Sequence, residues 1–351
     1  MEKERIDIHG LAFGGAGVGR LADGRVCFVP YTSPGDTVDA EIVRRKKSFC
    51  EGRLLSVVVA SPSRTAPPCP VFGRCGGCQL QHLQYDAQLA AKEEIFASAL
   101  QRGAGIPRSA VAPIQSSPAP FGYRSRIQLK LHHDGKRFHC GFFAPDSHFV
   151  VDCGGFCPIS AEPVNRTLAH LVDILQSFPD PRKLPQVDIA SGDGASVNLV
   201  FHYIGELPEA AGWFRQAADS LPAAAGVYVQ RGRKSSMETV AGDGFLRYAM
   251  PAAEGRMLDL RFGAGCFSQV NLEQNREMWL RRWRGQISAP VTGCSTSSAG
   301  TATFPCPRPL RGVGWRGTRR TPPPSRTPAP TPRPTASPTS GSRPHRAPTP
   351  C

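Results

Sequence analysis

The chain has 351 residues, a formal net charge of +14 and a hydrophobic share of 40%. That length suits two or three domains, and no run approaches the roughly 20 apolar residues that a bilayer-spanning helix requires. The start, Met1-Glu2-Lys3-Glu4-Arg5, lacks the apolar stretch of a secretory signal, so the expectation is a cytoplasmic protein with no membrane partner and no disulfide scaffold, whose twelve cysteines are metal ligands or buried thiols.

Residues 6–60 alternate short β-rich runs with glycine turns: Ile6 to Ile8, Gly14 to Gly19, Arg25 to Val29, Thr37 to Arg44 and Gly52 to Val59. Strands at this spacing predict a small OB-like barrel. The glycines from Gly14 to Gly19 read as a β-turn rather than a nucleotide loop, because neither a buried parallel strand before them nor a helix after them is legible. Arg44-Arg45-Lys46-Lys47 beside Phe49 suits a surface that tracks phosphates and stacks bases, with Lys46 and Lys47 as RNA contacts. The same run also reads as an edge strand guarded by charge.

A Pro/Ser linker from Pro62 to Pro70 leads into Cys69-x5-Cys75-Gly76-Gly77-Cys78, followed by Gln81 and His82. Three closely spaced thiols can converge on one metal centre, and two glycines let the backbone fold tightly around it. Zinc usually takes paired knuckles, so the lone Cys69 favours an iron–sulfur cluster over zinc. A redox Cys75–Cys78 pair is disfavoured by the absence of a thioredoxin-like context. A fourth ligand is needed; Cys157, preceding Pro158, is the first choice, with Cys153 and Cys140 as alternatives.

Tyr85 to Arg102 carries Leu89, Phe96 and Leu100 at helical spacing with Gly103 at its end. From Phe121 to Val151 the pattern turns to strands, and Arg124, Arg126 and Lys130 add positive charge; Arg124 and Arg126 are expected RNA contacts. Helices are expected over 162–178 and 209–221, and strands over 196–203, 226–230 and 245–248, which makes an α+β middle domain. Phe267-Ser268-Gln269-Val270-Asn271 then opens a helix expected to reach about Ile287, with Met278, Trp279 and Trp283 as its apolar side. Residues 290–351 hold nine Arg and fifteen of the 34 Pro but no Lys, Asp or Glu. Such a segment cannot offset the entropy of ordering and is expected to be disordered.

Together these features resemble the RNA uridine C5-methyltransferases, in particular the iron–sulfur branch that methylates uridine in 23S ribosomal RNA. Residues 6–60 are similar to a TRAM domain. The string from Cys69 through Gln79-Leu80-Gln81-His82-x2-Tyr85-x2-Gln88-Leu89-x2-Lys92 resembles the cluster motif and its helix, and Phe267-x-Gln269-Val270-Asn271 the motif before the methyltransferase domain. The resemblance runs from about residue 5 to 288. It implies that Cys69, Cys75, Cys78 and Cys157 bind a 4Fe-4S cluster, that Gln269 contacts S-adenosylmethionine, and that Phe267 stacks near the target base of the RNA.

The family continues into a Rossmann-like domain with a cofactor loop, a nucleophilic cysteine and a glutamate base, none of which is legible here. Codon structure offers a reason. If the frame moves back one nucleotide, Cys294 to Phe304 becomes compatible with Val-Leu-Asp-Leu-Phe-Cys-Gly-Asn-Gly-Asn-Phe, the family's cofactor-binding strand and loop. Trp315 to Arg320 and Thr335 to Ser342 behave alike. A frameshift between about residues 285 and 293 is therefore inferred, with a natural basic arm as the runner-up. Cys294, Cys306 and Cys351 have no orienting partner in sequence and are not drafted as nucleophiles.

The expected architecture is an α+β multidomain chain. It comprises a TRAM/OB-like RNA-binding barrel at 1–61, the cluster motif and helix at 62–102, a central α+β domain at 103–266, a linker helix at 267–288 and a disordered, out-of-frame tail at 289–351, the Rossmann-like domain being lost. Kinship points to an S-adenosylmethionine-dependent 23S rRNA uracil-5-methyltransferase, and the chain as written is expected to be a monomer without catalytic residues. The alternative is a non-catalytic RNA-binding iron–sulfur protein. Phe262, Phe267 and Trp279 are expected to form an exposed edge that lacks its partner surface.

Overall fold

A computed structural model describes residues 2–221, 223–232, 236–252 and 256–283. The expectations for the tail, including Cys294, Cys306 and Cys351, lie outside the described residues.

Five strands form the first element of the fold: β1 (Lys3–Leu11), β2 (Gly17–Arg20), β3 (Val26–Val29), β4 (Thr37–Arg45) and β5 (Phe49–Val59). They close into a barrel in the order β1-β2-β3-β5-β4, with β4 pairing back onto β1 and β3 running parallel to β5. Alternate side chains point inward, so Ile6, Ile8, Cys27, Val29, Val38, Ala40 and Cys50 fill the interior. The glycine run divides into two roles. Gly14 and Gly15 make the β1–β2 turn at φ 90° and 88°, whereas Gly17 and Gly19 lie within β2. There a Cβ on Gly17 would land on Thr32 Oγ1, and one on Gly19 would sit 2.7 Å from the Asp7 carbonyl oxygen. A barrel this small closes only because β2 presents no side chain at those two points.

The helix α1 (Tyr85–Ala104) continues through Gly103 and stops at Gly105, whose φ of 67° lets its N–H reach back to Gln101 O. Gly103 is therefore inside the last turn, not the cap. Only Ala97 of this helix is buried, and Phe96 is exposed. Polar contacts hold it instead: Tyr85 Oη accepts the Ser117 N–H at 2.8 Å, and Glu93 accepts the Ile114 N–H at 2.7 Å and pairs with Arg108.

A seven-stranded sheet makes the middle of the chain: β6 (Arg126–His133), β7 (Phe138–Phe143), β8 (Val150–Asp152), β9 (Gln186–Ser191), β10 (Val197–His202), β11 (Ala224–Gln230) and β12 (Met237–Gly242). Its order is β12-β11-β10-β9-β6-β7-β8, antiparallel except for β10 beside β11. The helices α2 (Glu162–Leu175) and α3 (Leu207–Asp219) cover one face. α2 presents Val164, Leu168, Leu171 and Leu175 at helical spacing, and α3 presents Ala210, Phe214 and Ala217. They bury Ile127, Leu129, Val187, Ile189, Leu199 and Phe201 of the strands. Phe178, Phe201, Tyr203, Trp213 and Phe214 meet there in edge-to-face and tilted pairs, with centroids 4.7 to 5.9 Å apart.

Sequence patterning misses β9, β12 and the hairpin partner β14 (Met257–Phe262), which pairs with β13 (Leu246–Pro251). The helix α4 (Leu272–Trp283) follows. Leu246, Tyr248, Met250, Phe262, Leu272 and Trp279 form a third core that packs on Ala190 and Ala225 of the sheet. This corrects the expected exposed edge: Phe262 and Trp279 are both 4% exposed, and Trp279 donates its indole N–H to Pro251 O. Only Phe267 of the three is exposed. The hairpin supplies the cover that the missing partner was expected to give.

Candidate metal centre and RNA-facing loops

The cysteine loop is a chain of tight turns. Phe72 N–H donates to Cys69 O, and the N–H groups of Arg74 and Cys75 both donate to Val71 O, which folds Cys75 back over Cys69. Gly76 N–H donates to Phe143 O at 2.9 Å, fastening the loop to the end of β7. A Cβ on Gly76 would stand 2.9 Å from that same oxygen, so the approach requires glycine. Gly77 N–H points at Cys75 Sγ at 3.4 Å, and the Gln81 amide bonds to Cys78. Such donors stabilise a sulfur that carries negative charge.

Cys157 approaches from the middle domain. Asn165, on α2, grips its turn: Asn165 Oδ1 accepts the Cys157 N–H at 2.9 Å, while Nδ2 donates to Cys157 O and Ser160 O. Burial pushes the Cys75 and Cys78 thiols up, and charge on Cys69 and Cys157 adds to the rise. No three His, Cys, Asp or Glu side chains among the described residues close on a single metal ion. Cys140 and Cys153 belong elsewhere. Both lie in the core beneath α2, and burial pushes each thiol up to about 12, as expected of inert core thiols.

The loop is also tied to the barrel by residues that sequence patterning does not single out. Asp36 is fully buried and receives Arg64 through Nε and Nη2 at 2.7 to 3.0 Å, along with the Ser33 and Ser61 N–H groups. Tyr31, held at φ 64°, packs edge-on against Phe72, which in turn packs on His82. His82 is 3% exposed and meets the Thr32 carbonyl through Nε2 at 3.1 Å. A carbonyl can only accept, so Nε2 carries the proton. Burial lowers the His82 pKa, and its buried Nδ1 has no hydrogen-bond partner among the described residues.

Lys46 and Lys47 stand exposed at the β4–β5 tip, with Lys46 Nζ 4.9 Å above the Phe49 ring. Neither pairs with a carboxylate among the described residues, whereas Arg44 pairs with Glu51 and Arg45 with Glu2, Glu4 and Asp23. Arg124 lies between the Cys157 turn and the approach to α4: its backbone bonds Ile159 and Ala161 and bridges Asn271. Arg126 is paired with Asp188 at 3.0 Å. The segment carrying Phe267 and Gln269 is stitched to the start of β6 by the Ser125 N–H on Val270 O at 2.7 Å. Asn271 then caps α4 by accepting the Gln274 N–H.

Residues 2–55 match the TRAM domain family. A 23S rRNA (uracil(1939)-C(5))-methyltransferase of Alkalilimnicola ehrlichii is 34% identical over 282 residues, covering 79% of this chain and 61% of the relative. Its counterpart from Pseudomonas putida is 35% identical over 280 residues, covering 79% and 59%.

Over that stretch the chain is similar to RNA uracil-C5-methyltransferases.

It spans about three fifths of the length of these curated relatives. The crystal structure of the Pyrococcus abyssi tRNA (uracil-54, C5)-methyltransferase in complex with S-adenosyl-L-homocysteine shares the fold, at a TM-score of 0.57 and 23% identity over 81% of this chain and 65% of that one. No helix among the described residues is long and apolar enough to cross a membrane.

Proposed function

We propose that residues 1–288 are the RNA-binding and iron–sulfur portion of a 23S rRNA uracil-C5-methyltransferase. What carries the reading is the likeness to 23S rRNA uracil-C5-methyltransferases, together with a Cys69, Cys75 and Cys78 loop that Gly76 N–H fastens to Phe143 O of the middle domain, beside a TRAM barrel. The donor set fits a 4Fe-4S cluster: four thiols, a backbone N–H and a side-chain amide aimed at two of them, and a glycine where the loop has no room for a Cβ. Structural zinc usually takes paired cysteine knuckles, so the lone Cys69, separated from Cys75 by five residues, favours a cluster. A cluster would displace the thiol protons that burial now retains.

C5 methylation requires a thiolate to attack C6 of the uracil, delivery of a methyl group to C5 and a base to remove the C5 proton. S-adenosylmethionine supplies the methyl group when bound, and the resemblance assigns Gln269 to contact it. Lys46 and Lys47 track phosphate, and Phe267 offers a ring to the target base. Nucleophile, base and cofactor loop belong to the shifted frame beyond about residue 285, so the chain as written binds RNA without methylating it. The test incubates the purified chain with unmodified ribosomal RNA and radiolabelled S-adenosylmethionine, beside a version with the frame restored. Transfer only with the restored frame is expected; transfer by the 351-residue chain overturns the loss of catalysis, and none by either overturns the proposed activity.

A further inference from the structure

Asn198 lies inside the middle sheet, between Ala190 of β9 and Gly226 of β11. Its neighbours Val197 and Leu199 turn to the core beneath α2 and α3, so Asn198 and Val200 turn to the opposite face. There they meet the 263–268 loop, which leads from β14 to Phe267. Between strand and loop lies a cavity of about 20 Å³, room for one water molecule and nothing larger. Val200 and Phe262 are among its apolar walls, and Asn198, Asp188, Arg126 and Ser268 are its polar ones.

One polar atom of this wall lacks a partner. Asn198 is 2% exposed, and its Nδ2 donates to Gly244 O at 2.6 Å. A carbonyl can only accept, so the amide nitrogen faces Gly244 and Oδ1 is left to the cavity. Oδ1 is buried and has no hydrogen-bond partner among the described residues, a state that costs the whole desolvation of the acceptor. Asp188 offers no donor. Its Oδ1 accepts from Gln186 Nε2 at 2.7 Å and His202 Nε2 at 3.2 Å, and its Oδ2 from Arg126 Nη2 and Gln128 Nε2 at 3.0 Å each. Burial alone would raise its pKa, but those donors outweigh burial and hold the carboxyl well below the usual range. The loop itself is tied by two long bonds: Cys266 N–H to Gly263 O at 3.3 Å, and Arg126 Nη1 to Cys266 O at 3.4 Å.

We infer that one buried water molecule occupies this cavity, donating to Asn198 Oδ1 and accepting from the donors of Arg126 and Ser268, and that it pins the loop that presents Phe267. Three bonds are the usual complement of such a water. Asn198 is then a positioning residue, acting on the loop through the water. The pinning deepens the proposed function, on which the role of Phe267 rests.

The full chain is examined without RNA, by water-deuteron magnetic relaxation dispersion, which counts long-lived internal waters, and by hydrogen exchange of peptides spanning 263–268. Asn198→Leu removes the acceptor. Asn198→Asp restores it: facing a carbonyl, its buried carboxyl keeps a proton for Gly244 and leaves the other oxygen to the water. Val200→Ile pushes one methyl group into the cavity and leaves Asn198 and its Gly244 bond as they are. Asn198→Leu and Val200→Ile should each lose one long-lived water and exchange the loop amides about tenfold faster, while Asn198→Asp matches the unaltered chain. An unchanged water count in both Asn198→Leu and Val200→Ile overturns the site. Loss of the water from Val200→Ile without faster loop exchange, or faster exchange spread through β9 and β10, overturns the pinning. None of these readings uses RNA or methyl transfer, so their failure leaves the proposed function standing, and failure of that function leaves the water.

Discussion

The barrel turns small apolar side chains inward all round its wall, with Ile6, Val29, Val38 and Ala40 fully buried, whereas the middle sheet seals one face with α2 and α3 and leaves part of the other polar. Closure in the barrel puts its charge on the outer wall, as in the Arg5–Asp39 and Arg53–Glu41 pairs, and at the Lys46–Lys47 tip. The open sheet instead concentrates polar groups around Asp188. The contrast shows where each region is intolerant of change: the barrel where glycines permit close approach, the sheet where aromatic rings fill its sealed face.

The largest effect is expected from Phe214→Ala, which empties the aromatic cluster of the sealed face. A loss of about 4 kcal/mol in urea unfolding is predicted for a large buried ring; a loss below about 1 kcal/mol would show that the cluster is loosely packed. Gly19→Val breaks the barrel by driving a side chain against the Asp7 carbonyl and Ile6, with an expected cost of about 3 kcal/mol. Asp188→Asn probes the polar face and should cost about 2 kcal/mol, since hydrogen bonds to a charged acceptor are lost.

The Asp188 carboxyl also sets a pH dependence. Its folded-state pKa is depressed, so its stabilisation is complete above the ordinary aspartate range near about 3.9 and is lost as pH falls through that range toward the folded value. His82 acts in the same direction from a higher pH. Its folded pKa is lowered, so the unfolded chain binds the proton first and stability falls as pH drops below about 6.5. Acid titration of His82→Gln should therefore lose the upper part of this slope while Asp188→Asn loses the lower. The smallest effect on folding comes from Lys46→Glu with Lys47→Glu, within about 0.5 kcal/mol, although RNA affinity and its salt slope should both fall.

The barrel strands were legible because glycine turns and alternating Val and Ile mark their ends and faces. The cysteine motif was legible because spacing alone exposes it. β9 was hidden: Asp188 interrupts the apolar run of Val187 and Ile189, and only the tertiary pairing of four donors makes that carboxylate tolerable within a strand. A lone acid between two β-branched residues was the available signal. β14 begins with Met257 and Leu258, both exposed, so its hydrophobic pattern does not report which face is buried. The helix α1 misled in the other direction, since Phe96 has helical spacing yet faces outward. Tyr31, Phe72 and His82, which join barrel to cysteine loop, are far apart in sequence and meet only once both are folded.

The central claim, a cluster held jointly by the cysteine loop and the middle domain, is tested most directly by iron and acid-labile sulfide analysis of the chain purified without oxygen, beside Cys157→Ser and Cys153→Ser. About four irons and four sulfides per chain are expected, retained by Cys153→Ser and lost by Cys157→Ser. Stoichiometric zinc without iron, or full iron content in Cys157→Ser, would contradict it.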